Sequence, residues 1–420
     1  MSEKDTKYDL IIIGGGPAGL AAAIKAWSLN VEKIILLNES DILGGILPQC
    51  IHAGFGLHYF KDDLTGPEFA AKLIDKLRET SVKVLCGAYA ARLNVKSNGL
   101  KEIIGYRIGE AFRLESKAVI YAAGCRERSR FEAGIVGDRP AGIYTAGEAQ
   151  ALMDLYGVLP GKEIVIVGSG DVGLIMARRF ALEGAKVKAV IEIMPYPGGL
   201  TRNIIQFLED FSIPLYLSHS ALEIKGLRRV ESIKIVRVGE GLNPIKGSDF
   251  EIKCDTVILA VGLKPRSEML AEAGALIDGA TGGPVVNDWL ETSIPGVFAA
   301  GNVLVINDLV DYAAEQGEWA AESAAKLIHE GNLPKAEYKH VIQGHNIRLI
   351  VPQIVSGLKD VIFYGRVIKP EENVLIHFRG INRSFKLPIV RPSEMFRFRI
   401  SSKDFQEMYD EKITVDVIKG

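Results

Sequence analysis

The sequence predicts an α/β protein of two three-layer domains followed by a small antiparallel β domain, and three observations carry that reading. A strand, a GxGxxG loop and a helix occur in succession twice, at an offset of 154 residues. The 44 glycines exceed the roughly 7% of an average sequence and cluster at these loops. After Tyr338 the pattern changes to short alternating segments parted by Pro, Gly and Asn. With 420 residues, 48% of them hydrophobic, the chain is too long for one ordinary core.

The first unit opens with the β-branched and leucine run Tyr8–Ile13, the mark of a strand buried on both faces. Gly14-Gly15-Gly16-Pro17-Ala18-Gly19 follows at once and leads into the helical stretch Leu20–Leu29. In this context the first glycine permits a tight turn, the second lets backbone approach a pyrophosphate, and the third allows close helix–strand packing, which is the Rossmann-like dinucleotide pattern. The helix N-terminus adds unpaired N–H groups and the positive end of its dipole.

The second unit repeats each part: strand Glu163–Val167, loop Gly168-Ser169-Gly170-Asp171-Val172-Gly173, helix Leu174–Leu182. The same offset carries Asn38 onto Glu192, each at the end of a second strand, and Gly44-Gly45 onto Gly198-Gly199. Glu192 can accept hydrogen bonds from both ribose hydroxyls and repels a 2′-phosphate. Ile193-Met194-Pro195-Tyr196 beyond it offers no cation to hold one, so this unit favours NAD(H) over NADP(H). In the first unit the ribose contact falls to Asn38 or to Glu39 beside it, with a plain turn residue as the alternative for Asn38.

Composition excludes several classes. The 50 Lys+Arg nearly cancel the 52 Asp+Glu, and a net charge of −2 gives no global attraction for nucleic acid or an anionic membrane. Cys50, Cys86, Cys125 and Cys254 show no CxxC spacing and the histidines no ligand spacing, which argues against a disulfide scaffold, a metal or an iron–sulfur site and fits a reducing cytoplasm. The apolar stretch Leu10–Ile24 contains three consecutive glycines and a proline, so neither a signal peptide nor a membrane span is expected.

Two further signatures, Ala118-Val-Ile-Tyr-Ala-Ala-Gly124 and Pro295-Gly-Val-Phe-Ala-Ala-Gly-Asn302, complete a four-motif order that resembles flavoproteins with two dinucleotide-binding domains. The resemblance implies FAD at Gly14, Gly16, Pro17, Ala18 and Gly19, with Asn38, Glu39, Gly45, Ile46 and Ala90 as further contacts and Ala123 and Gly124 beside it. It puts Gly301 and Asn302, in place of the usual Gly-Asp, at the ribityl and phosphate. The helix expected over Asp308–Ile328 then presents Asp311 and Tyr312 to the flavin pyrimidine. NADH is implied at Gly168, Gly170, Asp171, Val172 and Gly173, with Gly262 in the matching second motif. The corresponding domains are residues 1–148 with 280–335 for FAD, 149–279 for NAD(H), and 336–420 for the β region.

The segments Leu43–His58, Leu64–Glu68, Gly124–Arg128 and Gly168–Arg178 are similar to FAD-dependent oxidoreductases that accompany a glycerol-3-phosphate dehydrogenase-like flavoprotein, and to large subunits of opine oxidase, hydrogen cyanide synthase and dye-linked proline dehydrogenase. That likeness implies electron exchange with a partner flavoprotein or iron–sulfur subunit. Disulfide reductases of the superfamily carry a second cysteine where Phe55 stands here, so a dithiol relay is excluded within this segment. Cys50 is then either a catalytic thiol of a self-contained NADH oxidase or peroxidase, or a small residue packed beneath the flavin. A third reading is a non-catalytic flavin-binding scaffold.

In the β region, strands are expected over His345–Val351, Asp360–Ile368, Asn373–Arg379, Phe385–Val390, Met395–Ile400 and Ile413–Ile418. Between Arg379 and Lys403 seven basic residues face one acid, Glu394. They form either solvated strand faces or a docking surface for an acidic partner.

Overall fold

The computed structural model of the protein describes residues 6–199, 201–406 and 411–420. The chain divides into two compact units, one of Met1–Cys125 with Pro265–Gly420 and the other of Arg126–Lys264.

In the first unit the strands Lys83–Leu85, Ile34–Leu37, Lys7–Ile13, Glu110–Tyr121 and Val297–Ala299 lie side by side and parallel. Leu10, Ile11 and Ile12 are wholly buried, as a run apolar on both faces requires. The first half of Glu110–Tyr121 continues the same sheet by running antiparallel to Lys101–Arg107, which pairs in turn with Tyr89–Val95. The helix Pro17–Ser28 packs on Val310–Glu330 through small residues, because a Cβ at Gly317 would lie 2.0 Å from the Ala18 carbonyl oxygen.

The long helix starts at Val310 rather than Asp308. The Asp308 carboxylate accepts the Met395 N–H at 2.6 Å and pairs with Arg366, which ties the residues before the helix to the β region.

The β region forms two sheets. One orders Ile354–Val355, Lys339–Gln343, Lys412–Lys419, Glu371–Arg379 and Arg383–Val390, and the other Ile347–Val351, Val361–Val367 and Phe396–Ile400. Pairing is antiparallel except between Lys339–Gln343 and Lys412–Lys419, which run parallel. Sequence pattern misses Lys339–Gln343 because Val341 is its one buried residue. The buried residues of these sheets form one continuous core with the parallel sheet. Polar ties reinforce the join. Tyr364 Oη donates to Glu315 at 2.9 Å, Arg397 pairs with the same carboxylate, and Lys359 Nζ stands 4.5 Å and 5.0 Å from the ring centres of Trp289 and Trp319.

The basic run is not a positive surface. Arg379 pairs with Asp416, Arg383 with Asp404, Arg391 with Glu394, Arg397 with Glu315 and Arg399 with Asp360. Four of these five acids lie outside the window 379–403, so a count along the sequence overstates the charge presented in space.

In the second unit Ile143–Thr145, Thr256–Leu259, Glu163–Val167, Lys186–Ile191 and Leu215–Tyr216 form a parallel sheet in that order. Its strands bury both faces by alternation. Ile164 and Ile166 pack with Leu174 and Phe180 of the helix Asp171–Leu182, whereas Val165 and Val167 pack with Ile224 and Ile233 of a second sheet. That second sheet orders Val136–Gly137, His219–Lys225, Ser232–Arg237 and Phe250–Lys253. Three layers result. Among the described residues, no helix is long and apolar enough to cross a membrane.

Replacing Gly317 by Ala improves helix propensity by roughly 1 kcal/mol yet drives a methyl into the Ala18 carbonyl. Gly317→Ala is therefore expected to lower unfolding stability by about 1–3 kcal/mol net, read by chemical denaturation; an unchanged or raised stability contradicts the close helix crossing.

Candidate nucleotide-binding sites

The two glycine loops have the same geometry. Gly14 has φ +107° and Gly168 φ +104°, and a Cβ on either would lie 2.2 Å from a carbonyl oxygen, of Ala122 in the first unit and Ala260 in the second. The third glycines match too. A Cβ at Gly19 would meet the Gly14 oxygen at 1.8 Å, and one at Gly173 the Gly168 oxygen at 2.5 Å. The backbone follows suit: Gly14 N–H donates to Leu37 and Gly168 N–H to Ile191, while Ala122 donates to Ile13 and Ala260 to Val167.

The second glycines are different, because the space beside them is open. The nearest atom to a Cβ at Gly16 is the Gly45 Cα at 3.8 Å, and nothing lies within 4 Å at Gly170. Each is the N-cap of a 12-residue helix with no side-chain cap, and Pro17 stands at the first helical position of the first. Uncapped N–H groups facing a gap without side chains suit a pyrophosphate. On this test the residues fit a dinucleotide in both units. Asp171 and Val172 open the second helix, with Asp171 accepting from Asn203 Nδ2 at 2.7 Å and Val172 exposed.

The strand-end residues brace the loops. Asn38 Oδ1 accepts the Gly15 N–H at 3.0 Å, and Glu192 Oε2 accepts the Ser169 N–H at 3.0 Å. Glu192 Oε2 also takes the Ser169 hydroxyl at 2.6 Å, and its Oε1 takes the Met194 N–H at 2.9 Å. Asn38 Nδ2 donates to the carbonyls of Ser40 and Ile42. The Asn38 amide, like the Glu192 carboxylate, is buried with both polar atoms engaged, whereas Glu39 beside it is exposed and paired with Arg266 at 2.6 Å.

The second glycine pair seats against each loop: Gly44 N–H donates to Gly15, Gly198 N–H donates to Ser169 Oγ, and Gly45, with φ +61°, lies against Gly16. Ile46, next to it, is exposed. Ala90 stands on the strand Tyr89–Val95 opposite Gly105, two residues past Ala88, whose N–H reaches the Asn38 carbonyl. Ala123 and Gly124 follow the strand Glu110–Tyr121, and a Cβ at Gly124 would meet nothing within 4 Å. In the second unit the Gly262 carbonyl accepts from Arg128.

Two further candidates have structural duties. Asp311 is 3% exposed, and its carboxylate accepts the N–H groups of Gly56, His58 and Tyr59, so it clamps that loop to the helix start rather than facing a ligand. Tyr312 is half-buried between His58 and Tyr364, with the Arg397 guanidinium 5.7 Å from its ring centre. Asn302 Oδ1 accepts from Asn307 while its Nδ2 reaches Cys125 Sγ at 3.6 Å. Sequence reasoning missed Gln316, which is fully buried and accepts the Gly301 N–H at 3.0 Å; no motif marks a glutamine fifteen residues downstream.

All four cysteines are thiols. Burial pushes the Cys254 thiol up to about 12, which leaves it inert at neutral pH. Cys50 follows the short helix Leu47–Gln49, and its Sγ donates to the Ile46 carbonyl at 3.5 Å. Phe55 packs against His52 at 5.0 Å between ring centres.

Beside the second glycine loop lies a cavity of about 280 Å³, lined among others by Gly168, Ser169, Gly170, Glu192, His219 and Ala260.

The pyridine nucleotide-disulphide oxidoreductase family matches residues 8–317. Dihydrolipoyl dehydrogenase of Pseudomonas aeruginosa is 32% identical over 355 residues, covering 76% of this chain and 71% of that protein. An opine oxidase subunit of Agrobacterium tumefaciens is 24% identical over 341 residues, or 76% of this chain and 64% of that protein. The crystal structure of T. acidophilum thioredoxin reductase superposes with a TM-score of 0.63 at 25% identity, covering 76% of this chain and 98% of that one.

Glu192→Ala leaves the Ser169 N–H and hydroxyl without their buried acceptor. A loss of about 1–3 kcal/mol is expected for the second unit before any nucleotide is added, measured by denaturation of the nucleotide-free protein; unchanged stability contradicts the bracing role.

Proposed function

Because the chain belongs to the pyridine nucleotide-disulphide oxidoreductase family, we propose that this FAD-containing, nicotinamide-dependent oxidoreductase exchanges hydride between NAD(H) and FAD and relays electrons to or from a partner subunit. The observation that carries the reading is the doubled loop geometry, with Gly14 over Ala122 and Gly168 over Ala260. FAD supplies the two-electron carrier when bound. The chain's part is to hold one dinucleotide at each open second glycine, to fix the loops through Asn38 and Glu192, and to exclude water from the reacting rings.

The nicotinamide nucleotide is NADH. The Glu192 carboxylate stands in the cavity beside Gly170, where it repels a 2′-phosphate. Thiol catalysis would have to use Cys50 alone, because Phe55 occupies the position a resolving cysteine would need. The partner is a flavoprotein or iron–sulfur subunit, and the likeness to oxidoreductases that accompany a glycerol-3-phosphate dehydrogenase-like flavoprotein is the basis for a glycerol-3-phosphate link. The relative from opine oxidase, itself named as one of several subunits, supports a multi-subunit setting. Thiols throughout suit a reducing cytoplasm.

Anaerobic mixing with NADH is expected to bleach the flavin, and a flavin that stays oxidised excludes hydride transfer. Cys50→Ser is expected to keep NADH–dye reduction and to leave any NADH–peroxide turnover unchanged. Loss of peroxide turnover with dye reduction intact supports the thiol reading instead. Deleting residues 338–420 exposes the shared core, so the truncated chain is expected to lose FAD on purification; retained FAD contradicts a common core.

A further inference from the structure

The strand ends of the first unit carry an ion pair that spans its glycine-loop strand. In the parallel sheet Lys7–Ile13 lies between Ile34–Leu37 and Glu110–Tyr121, and Gly14 follows its carboxyl end. Glu39 stands just past the end of Ile34–Leu37. Arg266 is fixed on the other side: its N–H donates to the Gly124 carbonyl at 3.0 Å, and its carbonyl accepts the Tyr121 hydroxyl at 2.9 Å. From there its Nη1 donates to Glu39 Oε2 at 2.6 Å. The pair thus bridges two strand spacings, roughly 10 Å, across the carboxyl ends of the strands, where dinucleotides bind on sheets of this kind.

Hydrogen bonds pin the Arg266 backbone, whereas both side chains are half exposed, 44% for Arg266 and 55% for Glu39. One nitrogen meets one oxygen, so among the described residues Glu39 Oε1 makes no hydrogen bond. A guanidinium carries five N–H donors, which leaves Arg266 others to offer. Glu39 also stands 20 residues past Gly19, the spacing at which an acid meets the ribose in dinucleotide folds. An exposed pair adds little to folding, so stability alone does not account for an arginine anchored at Gly124 and reaching to Glu39.

Resting on the FAD reading above, we infer that Arg266 is a binding residue of the first site: it holds the Glu39 carboxylate through Oε2 so that Oε1 accepts a hydroxyl of the adenosine ribose of FAD, and with Glu39 it closes over that half of the cofactor as a clasp. The anchor at Gly124 sets where the clasp closes. The half-exposed side chains leave it free to open when FAD enters.

Binding of FAD to the flavin-stripped full-length chain, followed by quenching of flavin fluorescence, tests this without turnover. Arg266→Gln is expected to weaken FAD binding about fivefold, the size of a half-exposed charged contact. In a Glu39→Gln background the same substitution is expected to change affinity by less than about twofold, because no carboxylate is left to hold. The denaturation midpoint of the flavin-free chain is expected to be the same in every variant. Unchanged FAD affinity in Arg266→Gln, an equal loss with and without Glu39, or a fall in midpoint that accompanies the loss overturns the role of Arg266. A wild-type chain that takes up no FAD overturns the FAD reading itself.

Discussion

Each glycine loop rests on one close approach: the first glycine lies over the carbonyl that ends a neighbouring parallel strand, at a distance no Cβ tolerates. The approach forces a left-handed turn at Gly14 and Gly168, sends the chain into its helix at once, and leaves the second glycine with open space beside it. Sheet order, helix entry and the ligand gap are thus consequences of one backbone contact made twice.

The two copies diverge where the loop is braced. In the first, a neutral amide from Asn38 holds the Gly15 N–H; in the second, the Glu192 carboxylate holds Ser169 through backbone and hydroxyl. A buried carboxylate is tolerated because three donors converge on it. The same residue lines the second cavity. The same scaffold position therefore holds its loop through an amide in one unit and through a carboxylate in the other.

Much of this was legible in the sequence, because glycine spacing encodes backbone conformation directly. The repeat at 154 residues, the helix entries and the pairing of Asn38 with Glu192 all follow from residue order. What spacing does not encode is where a polar side chain spends its hydrogen bonds. Asn38 and Asp311 look like ligand contacts from position alone, yet backbone N–H groups take up the Asn38 Oδ1 and the Asp311 carboxylate. Gln316 looks like any helical residue and supports Gly301. The basic run 379–403 misleads for a related reason, since Asp360, Asp404, Asp416 and Glu315 reach it only through the fold.

On the proposed function the two loops are separate sites for different dinucleotides. Flavin content and ADP-ribose binding, measured together on Gly14→Val and Gly168→Val, test it most directly. Gly14→Val is expected to lose FAD while ADP-ribose still binds, and Gly168→Val to keep FAD while ADP-ribose binding is lost. Retention of FAD by Gly14→Val, or loss of both ligands from both variants, would contradict it.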